Sequence, residues 1–442
     1  MFKGAVVRYL ISDALSLIGN SIAGVVLPLV LLVRTGDVLA AGSLALICAV
    51  PQFVCGIVGG AVLDRVNRRT VSVAADVVSA AACALLPVVD EVWGLSFGWF
   101  VALGLLGAVG DVPGKSARDA LLPAVCKRDG ADLQQFVGAS QSMGALVNIV
   151  GPAVAALLIG MMDDVDVLWI TAAFSCAAAL VTWTLPREVG EVAEGEVDEG
   201  SAEGGLAEGE GPGENGSSAG GVAATDGERG ATDNENKATG LFVTAKSVFV
   251  DGLAALFASD ALLRASTLLS FGITMVMGSL QGIVLPAYFT QIGEPEAVGY
   301  VVSAMGAGLL VGSLIYTALS NAMSRRAWLV TSLVGMAAAV AVLAGLPSLP
   351  VLLGSAVALG LLAGPASALL GFFAFDRVSD DRRGSAMGTL NALYLVVTPV
   401  GAFAGSVLIS VMQIEGAGMV LAGAWLVVTA AALVAKPLRD LG

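Results

Sequence analysis

The chain has 442 residues, of which 57% are hydrophobic and 13% are charged, whereas soluble domains average about 25% charged residues. A water-soluble fold could not cover this much apolar surface, so the composition excludes an ordinary soluble domain and indicates a protein folded in lipid. The sequence has no histidine and its five cysteines form no CxxC pair. The commonest metal ligand is therefore missing, and we expect neither a metal nor a cofactor.

The N-terminal stretch "MFKGAVVRYLISDALSLIGN" carries positive charges followed by an apolar run. A signal peptide is one interpretation. The apolar run, however, exceeds the ~7–15 residues of a signal-peptide core, and no small-residue cleavage site ends it. We expect this stretch to be the first membrane helix.

Twelve apolar segments follow one another along the chain, each close to the ~20 residues that a membrane-spanning helix needs. They are continuously apolar, whereas the strands of a membrane barrel would alternate polar and apolar residues. The sequence therefore predicts an all-α integral membrane protein with twelve transmembrane helices. The predicted spans are 5–33, 38–62, 70–89, 93–113, 133–160, 166–185, 265–290, 297–320, 327–346, 349–373, 385–412 and 417–435.

The distribution of lysine and arginine predicts the orientation of these spans. If the N-terminus is cytoplasmic, 21 of the 22 basic residues fall on the cytoplasmic side and Arg34 alone falls outside. We expect both termini, and the long segment between the sixth and seventh spans, to be cytoplasmic.

That long segment is rich in glutamate and glycine and cannot bury a core. Between residues 186 and 239 it has 14 acidic and 3 basic residues, so its net charge is −11 out of −14 for the whole chain. A solvated spacer and a partner-binding segment are both open interpretations. We predict three parts: a six-helix bundle over 1–185, a disordered cytoplasmic linker over 186–246, and a second six-helix bundle over 247–442 that begins with an amphipathic stretch lying on the membrane.

Two short phrases occur once in each half. "SIAGVVLP" begins at Ser21 and "SLQGIVLP" at Ser279, 258 residues later. "GPAVAALLI" contains Pro152 and "TPVGAFAGSVLI" contains Pro399, 247 residues later. The same order and similar spacing indicate an internal duplication with parallel halves.

Proline frees a backbone carbonyl and kinks a helix, which lipid tolerates only beside protein or a water-filled cavity. Spans one, five, seven and eleven are therefore candidates to line a central cavity, although tight helix packing is an alternative explanation. The predicted kink residues are Pro28, Gly151, Pro152, Pro286 and Pro399.

The loop after span two reads "GGAVLDRVNRRTV". Its residues match the pattern G-x-x-x-D-R-x-x-R-R, which resembles the signature loop of the major facilitator superfamily. The resemblance implies two parallel six-helix repeats and an inner gate held by the loop's aspartate together with its arginines. Asn67 stands where the family has glycine, and we expect it to adopt the left-handed turn. The gate residues implied are Gly60, Asp64, Arg65, Arg68 and Arg69.

Two further stretches narrow the resemblance. "GALVNIVGPAVAALL", with Gly151 and Pro152, resembles the glycine-proline motif of the superfamily's antiporters. "ARDALLPAVCKRDGADLQQFVGASQS" and "LLRASTLLSFGITMVMGSLQGIVLPAYF" resemble the macrolide-efflux-type branch of drug:proton antiporters. The resemblance implies a bacterial plasma-membrane protein that exchanges drug for proton.

Three acidic residues lie within predicted spans: Asp13, Asp76 and Asp111. Burial favours the neutral form of a carboxyl group, so such residues are candidates for proton coupling. Asp13 is the first candidate because it shares a helical face with Ser16 and Asn20.

Each acid has an alternative role. Asp13 could pair with Arg8, and Asp76 lies two turns beyond Arg69 and could form a structural salt bridge. Asp111 lies near the predicted inner end of span four, where it could form a gating bridge with neighbouring cations.

We predict a mostly apolar cavity with a few polar anchors, as a bulky amphipathic substrate requires. An interhelical hydrogen bond is the alternative role of each anchor. The candidates are Ser16, Asn20, Gln141, Asn148, Ser270, Thr274, Gln281, Asn391, Tyr394 and Thr398.

These observations lead to the hypothesis of a proton-coupled exporter of drug-like or amphipathic small molecules that works by alternating access. The stretch "GDVPGKSARD" lacks the glycine that a phosphate-binding loop needs, so we expect no ATP-driven pump, and we find no paired catalytic groups of an enzyme. We expect a monomer in the lipid bilayer that binds no nucleic acid. A siderophore or metabolite exporter, an uptake permease of the same fold, and a membrane scaffold or sensor remain alternatives.

Overall fold

A computed structural model describes residues 4–63, 66–162, 165–191, 249–258, 260–320, 322–378 and 382–439. Within these ranges every regular element is a helix. The helices of the first half are α1 (Gly4–Thr35), α2 (Val38–Leu63), α3 (Arg68–Trp93), α4 (Phe97–Asp129), α5 (Leu133–Met161) and α6 (Val167–Trp183). Those of the second are α7 (249–257), α8 (Ala261–Ser279), α9 (Leu285–Gln291), α10 (Ala297–Leu319), α11 (Arg325–Ala344), α12 (Leu349–Asp376), α13 (Arg383–Val434) and α14 (Lys436–Arg439).

Twelve of these segments are apolar and cross the fold. Ten helices in the described part of the chain are long and apolar enough to span a membrane, with α8 and α9 counted as one span. The 17 residues of α6 add another. The 52-residue α13 is broken at Gln413, where φ is +63°, and therefore supplies two spans. The prediction of an all-α membrane protein with twelve transmembrane helices is confirmed.

The predicted bounds of span four are wrong. The sequence places this span at 93–113, whereas α4 runs from Phe97 to Asp129 and ends at Gly130, whose left-handed backbone caps the helix. The cluster of charges after residue 114 looks like a loop in the sequence. The helix continues because its charged side chains are either paired inside the protein, as for Arg118, or exposed at its end. Asp111 consequently lies near the middle of α4.

The two ends of the bundle differ in charge. We call the end where α1 begins the basic end; it carries Arg68 and Arg69 at the start of α3 and Arg325 at the start of α11. We call the opposite end the acidic end. There Arg34 pairs with Asp90 at 3.1 Å, next to the start of α2.

The repeated phrases pack on each other in both halves. In the first half the Ser21 side chain of α1 lies against Gly151 of α5, so closely that a Cβ at Gly151 would overlap it. In the second half the Ser279 hydroxyl of α8 donates to the Gly401 carbonyl of α13, and Gly278 lies against the Thr398 backbone. The duplicated sequence thus builds the same helix contact twice.

The two copies of the first phrase differ in backbone. Pro28 lies inside the regular helix α1, whereas the second copy forms a π-helical turn at Leu280–Val284, just before Pro286. A proline removes one N–H donor and crowds the preceding turn, and a π turn widens the helix at that point. The predicted kink in span seven therefore takes the form of a π turn.

The two halves touch each other near the acidic end. Gly299 at the start of α10 lies against the Pro152 carbonyl and Ala156 of α5. Gly42 at the start of α2 lies against the Ser406 side chain of α13. These close approaches leave room for cavities towards the basic end.

Part of the predicted linker falls within the described residues. Arg187–Gly190 forms a 3-10 turn in which Gly190 lies against Asn67 and Arg69 at the start of α3. Residues 192–248 lie outside the described part of the chain, so the prediction of a disordered linker stays a prediction. In α7, Ala255 and Leu256 are buried in a cluster with residues of α8, α12 and α13.

Candidate functional site

A cavity of about 570 Å³ lies among α1, α2, α3, α4 and α13. We call it the polar cavity. Its lining contains the three predicted carboxylates Asp13, Asp76 and Asp111 together with Asp119. Lys115 and Arg118 are the basic residues in the same lining, so four acids face two bases and the formal charge is −2. The predicted candidates Ser16, Asn20 and Asn391 also line it.

Asp76 forms a buried ion pair with Arg118. The side chains are 9% and 6% exposed, respectively. Ser16 donates a hydrogen bond of 3.0 Å to the other Asp76 oxygen, and the Tyr9 hydroxyl donates to the Arg118 carbonyl at 3.2 Å. The carboxylate of α3 is thereby tied to both α4 and α1.

The partner of Asp76 is not Arg69, as the sequence suggested. Arg69 donates to the carbonyls of Thr182 and Trp183 and lies 5.1 Å from the centre of the Trp183 ring. At the basic end a long arginine side chain reaches backbone carbonyls and an aromatic ring more readily than it reaches a carboxylate two turns deeper. Arg69 therefore anchors the start of α3 to the end of α6.

Asp13 of α1 also lines the polar cavity and is 7% exposed. It accepts a hydrogen bond of 3.2 Å from Ser140 of α5. Its suggested partner Arg8 instead donates to the Thr184 carbonyl at 3.0 Å. Among the described residues Asp13 forms no ion pair, so its charge is less compensated than that of Asp76.

Asp111 lies where the polar cavity meets a second, smaller cavity inside the first half. The Ser79 side chain of α3 lies beside its carboxylate. The suggested bridge to Arg118 is absent because Arg118 pairs with Asp76. Lys115, one turn further along α4, forms no ion pair with Asp111 within the described ranges.

A third cavity of about 510 Å³ lies in the second half. We call it the apolar cavity, because aliphatic side chains and glycines form most of its wall. Tyr394 lies beside Ser270 in the lining, and its ring lies 5.4 Å from that of Phe271. Six predicted anchors line this cavity: Asn148, Ser270, Thr274, Gln281, Asn391 and Tyr394.

The polar and apolar cavities share Asn391 of α13. Two other predicted anchors, Gln141 and Thr398, line neither cavity and are exposed. Thr398 contributes its backbone to the contact with Gly278. Eight of the ten polar residues predicted from the sequence therefore line one or both of these two cavities, and Asn391 is the one that lines both.

The signature loop is described only in part. Asp64 and Arg65, which the resemblance makes the centre of an inner gate, lie outside the described residues, and Gly60 lies near the end of α2. Arg68 donates to the Ala120 carbonyl of α4 at 3.5 Å. Asn67 does not adopt the expected left-handed conformation: its φ is −59° and its side chain accepts from the Thr70 N–H, which caps α3.

Sequence reasoning missed Arg118 as the counter-ion of Asp76. The signal was present: Asp111, Lys115 and Arg118 are spaced at i, i+4 and i+7, which places all three on one face of a continuous helix. Because the sequence analysis ended span four at residue 113, it did not recognise this shared helical face. Within the described residues no group of three side chains has the composition of a metal site.

Comparisons with known proteins support the architecture. Residues 9–259 and 265–440 match the sequence model of the Major Facilitator Superfamily. The chain is 26% identical to the "Multidrug efflux pump Tap" of Mycolicibacterium fortuitum over 386 residues, 87% of this chain and 84% of that protein. It is 30% identical to "Macrolide efflux protein A" of Streptococcus pyogenes over 152 residues, 34% of this chain and 37% of that protein.

Solved structures agree with the fold. The nucleoside transporter NupG superposes with a TM-score of 0.67 at 14% identity and covers 100% of both chains. A bacterial homologue of the iron transporter ferroportin, in an inward-facing state, gives 0.67 at 16% identity and covers 96% of this chain and 97% of that one. With a family model that matches both halves, this chain belongs to the Major Facilitator Superfamily of multi-pass membrane transporters.

Proposed function

We propose that the chain is a proton-coupled exporter of drug-like, amphipathic small molecules that works by alternating access. The observation that carries the proposal is the difference in polarity and charge between two adjoining cavities. An apolar cavity with a few polar anchors adjoins a polar cavity with net negative charge, and both reach Asn391. The names of two relatives, a multidrug efflux pump and a macrolide efflux protein, support export as the direction.

The apolar cavity suits the cargo. Its volume of about 510 Å³ lies within the range of about 300–1,000 Å³ that is typical of sites for drug-sized ligands. Hydroxyl and amide groups such as Ser270, Thr274 and Gln281 can orient a polar substituent. The aliphatic remainder of the wall accepts different apolar bodies without strict shape selection.

Asp13 suits the coupling proton. It is buried and, among the described residues, it lacks the arginine partner that compensates Asp76. Among the described residues its only hydrogen bond comes from Ser140 of α5, and α5 is the helix that packs on α10 of the other half. Protonation of Asp13 would weaken a charge-assisted contact on a helix that packs against the other half, which would couple the proton to alternating access.

We further propose that the protein works as a monomer without a cofactor in the bacterial plasma membrane, with the basic end cytoplasmic. Both termini and the acidic linker are then cytoplasmic. In this orientation the polar cavity lies towards the cytoplasm and the contacts Gly299–Pro152 and Gly42–Ser406 close the outer side. The fold would then be in a state ready to accept cargo from the cytoplasm.

The test is uphill transport of erythromycin and of fluorescent ethidium into inside-out vesicles, with and without a protonophore. We expect Asp13→Asn to abolish proton-driven accumulation while downhill exchange persists, because the cargo cavity is untouched. Glu188→Gln, which changes an exposed pair with Arg128, is the matched control. Normal uphill transport by the Asp13→Asn protein would refute the carrier role, and accumulation in whole cells would instead favour an uptake permease.

A further inference from the structure

The smaller cavity of the first half shares Asn20, Gln52 and Asp111 with the polar cavity, and its other lining residues belong to it alone. It has a volume of about 320 Å³ and is enclosed by four helices of the same half, α1, α2, α3 and α4. We call it the N-bundle pocket. No residue of the second half lines it, so it is not part of the interface between the halves within the described part of the chain.

The walls of the N-bundle pocket are apolar except at one end. Leu27, Leu86 and Leu103 are among the aliphatic side chains that line it, and Phe100 supplies an aromatic face. The end nearest the polar cavity carries the carboxylate of Asp111, with the amides of Asn20 and Gln52 beside it. A ligand that fits must therefore be apolar over most of its body and polar at one end.

The charge of the polar end selects the ligand class. Asp111 forms no ion pair among the described residues, since the nearby Arg118 is occupied by Asp76. A neutral or anionic ligand would leave this carboxylate without a cation in a region of low dielectric constant. A ligand with an ammonium group would supply the missing charge together with N–H donors.

Glycines create the space. At Gly24 of α1, a side chain would meet nothing within 4 Å, and Gly24 lines the pocket together with Gly104 and Gly107 of α4. Glycine inside a helix is destabilising relative to larger helix formers. At Gly107 a Cβ would make only an ordinary contact of 3.8 Å with Ala82, whereas at Gly104 it would lie 3.0 Å from the Cys48 sulfur. Gly24 and Gly107 therefore leave space unfilled, and Gly104 allows a close approach of the helices.

We propose that the N-bundle pocket binds a small lipophilic monoamine, with its apolar body among the leucines and Phe100 and its ammonium group on Asp111. The site differs from the apolar cavity in that it lies within one half and carries its own counter-ion. Binding of the amine to the pocket does not depend on the proposed export function. Only the further claim, that the bound amine is transported as a cargo, rests on that function.

The test uses purified full-length protein in detergent and a matched pair of probes, 2-(1-naphthyl)ethylamine and 2-(1-naphthyl)ethanol, which share shape and differ in charge. We expect saturable binding of the amine and, for the alcohol, binding weaker by about tenfold or more. Asp111→Asn should weaken amine binding to the level of the alcohol. Gly24→Leu, which fills the pocket with a good helix former, should abolish both.

Two controls keep the outcome interpretable. Gly354→Leu fills an equally open but exposed position on α12 and should bind the amine as the unaltered chain does. In a chain whose only cysteine is Cys48, a pocket residue, the amine should slow reaction with N-ethylmaleimide.

Unchanged amine affinity in both Asp111→Asn and Gly24→Leu, or equal binding of amine and alcohol, would overturn the proposal. Amine binding without any transport into vesicles would refute the export function and leave the site intact.

Discussion

Removing Arg118 should destabilise the protein far more than removing any surface arginine. Its guanidinium pairs with Asp76, and both side chains are less than 10% exposed. In Arg118→Met the methionine conserves much of the volume, so the cavity cost is small. The Asp76 carboxylate, however, keeps only the Ser16 hydroxyl as a hydrogen-bond partner among the described residues. Breaking a buried pair in this way costs about 3–5 kcal/mol.

The double variant separates charge from packing. In Asp76→Leu/Arg118→Met no charge remains unpaired, and replacing a buried pair by apolar groups is often neutral or stabilising. We therefore expect the double variant to recover most of the lost stability, with a coupling free energy of about 3 kcal/mol or more between the two sites.

The assay is equilibrium unfolding of the purified protein in mixed micelles with increasing dodecyl sulfate, followed by tryptophan fluorescence. Arg128→Met is the matched control, because Arg128 pairs with Glu188 at 3.1 Å with exposed fractions of 42% and 81%. Such a surface pair contributes about 0–1 kcal/mol. The reasoning is refuted if Arg118→Met unfolds at the same detergent fraction as Arg128→Met, or if the double variant loses as much as the sum of the single ones.

Two further predictions concern packing and the linker. A Cβ at Gly312 of α10 would lie 2.8 Å from the Leu361 carbonyl carbon of α12. Gly312→Leu should therefore lower the yield of folded protein sharply, whereas Gly354→Leu, in open space on α12, should not. Equal yields of the two variants in size-exclusion chromatography would contradict this prediction. Deletion of residues 195–235 spares the packed turn Arg187–Gly190. If the acidic segment is a solvated spacer, transport into vesicles should stay near normal. Loss of transport with normal membrane insertion would show that the segment has another role.

Membrane segments were predictable because lipid imposes a simple rule. A helix must satisfy its backbone internally and present apolar side chains, so continuous apolar runs predicted spans such as α2 and α10 to within a few residues. The rule fails where a helix continues into polar sequence. In α4 the turns after residue 114 are charged and remain helical. Arg118 is paired inside the protein, and Lys115 and Asp119 face the polar cavity and not lipid. Hydropathy carries no information about such neighbours.

Polar residues in apolar spans were predictable as cavity residues for the same reason. Lipid does not tolerate them, so Asn148, Gln281 and Asn391 had to face protein or a cavity. Their partners were not predictable. Whether Asp76 meets Arg69 or Arg118 depends on how α3, α4 and α6 are placed beside one another, and a single sequence does not give that placement.

The internal duplication would let one chain separate the two tasks proposed above, cargo binding and proton coupling. At the offset of 258 residues that joins the repeated phrases, Asp13 of α1 corresponds to Phe271 of α8. Asp13 accepts a hydrogen bond from Ser140 of α5, whereas Phe271 packs edge-on against the Tyr394 ring of α13 at 5.4 Å. The same helix contact is therefore polar in the first half and aromatic in the second. Because the two halves build the same helix contact but differ at this position, a change of charge in the first half would, in the proposed mechanism, act on the alternating-access motion without placing a charge in the apolar cavity of the second.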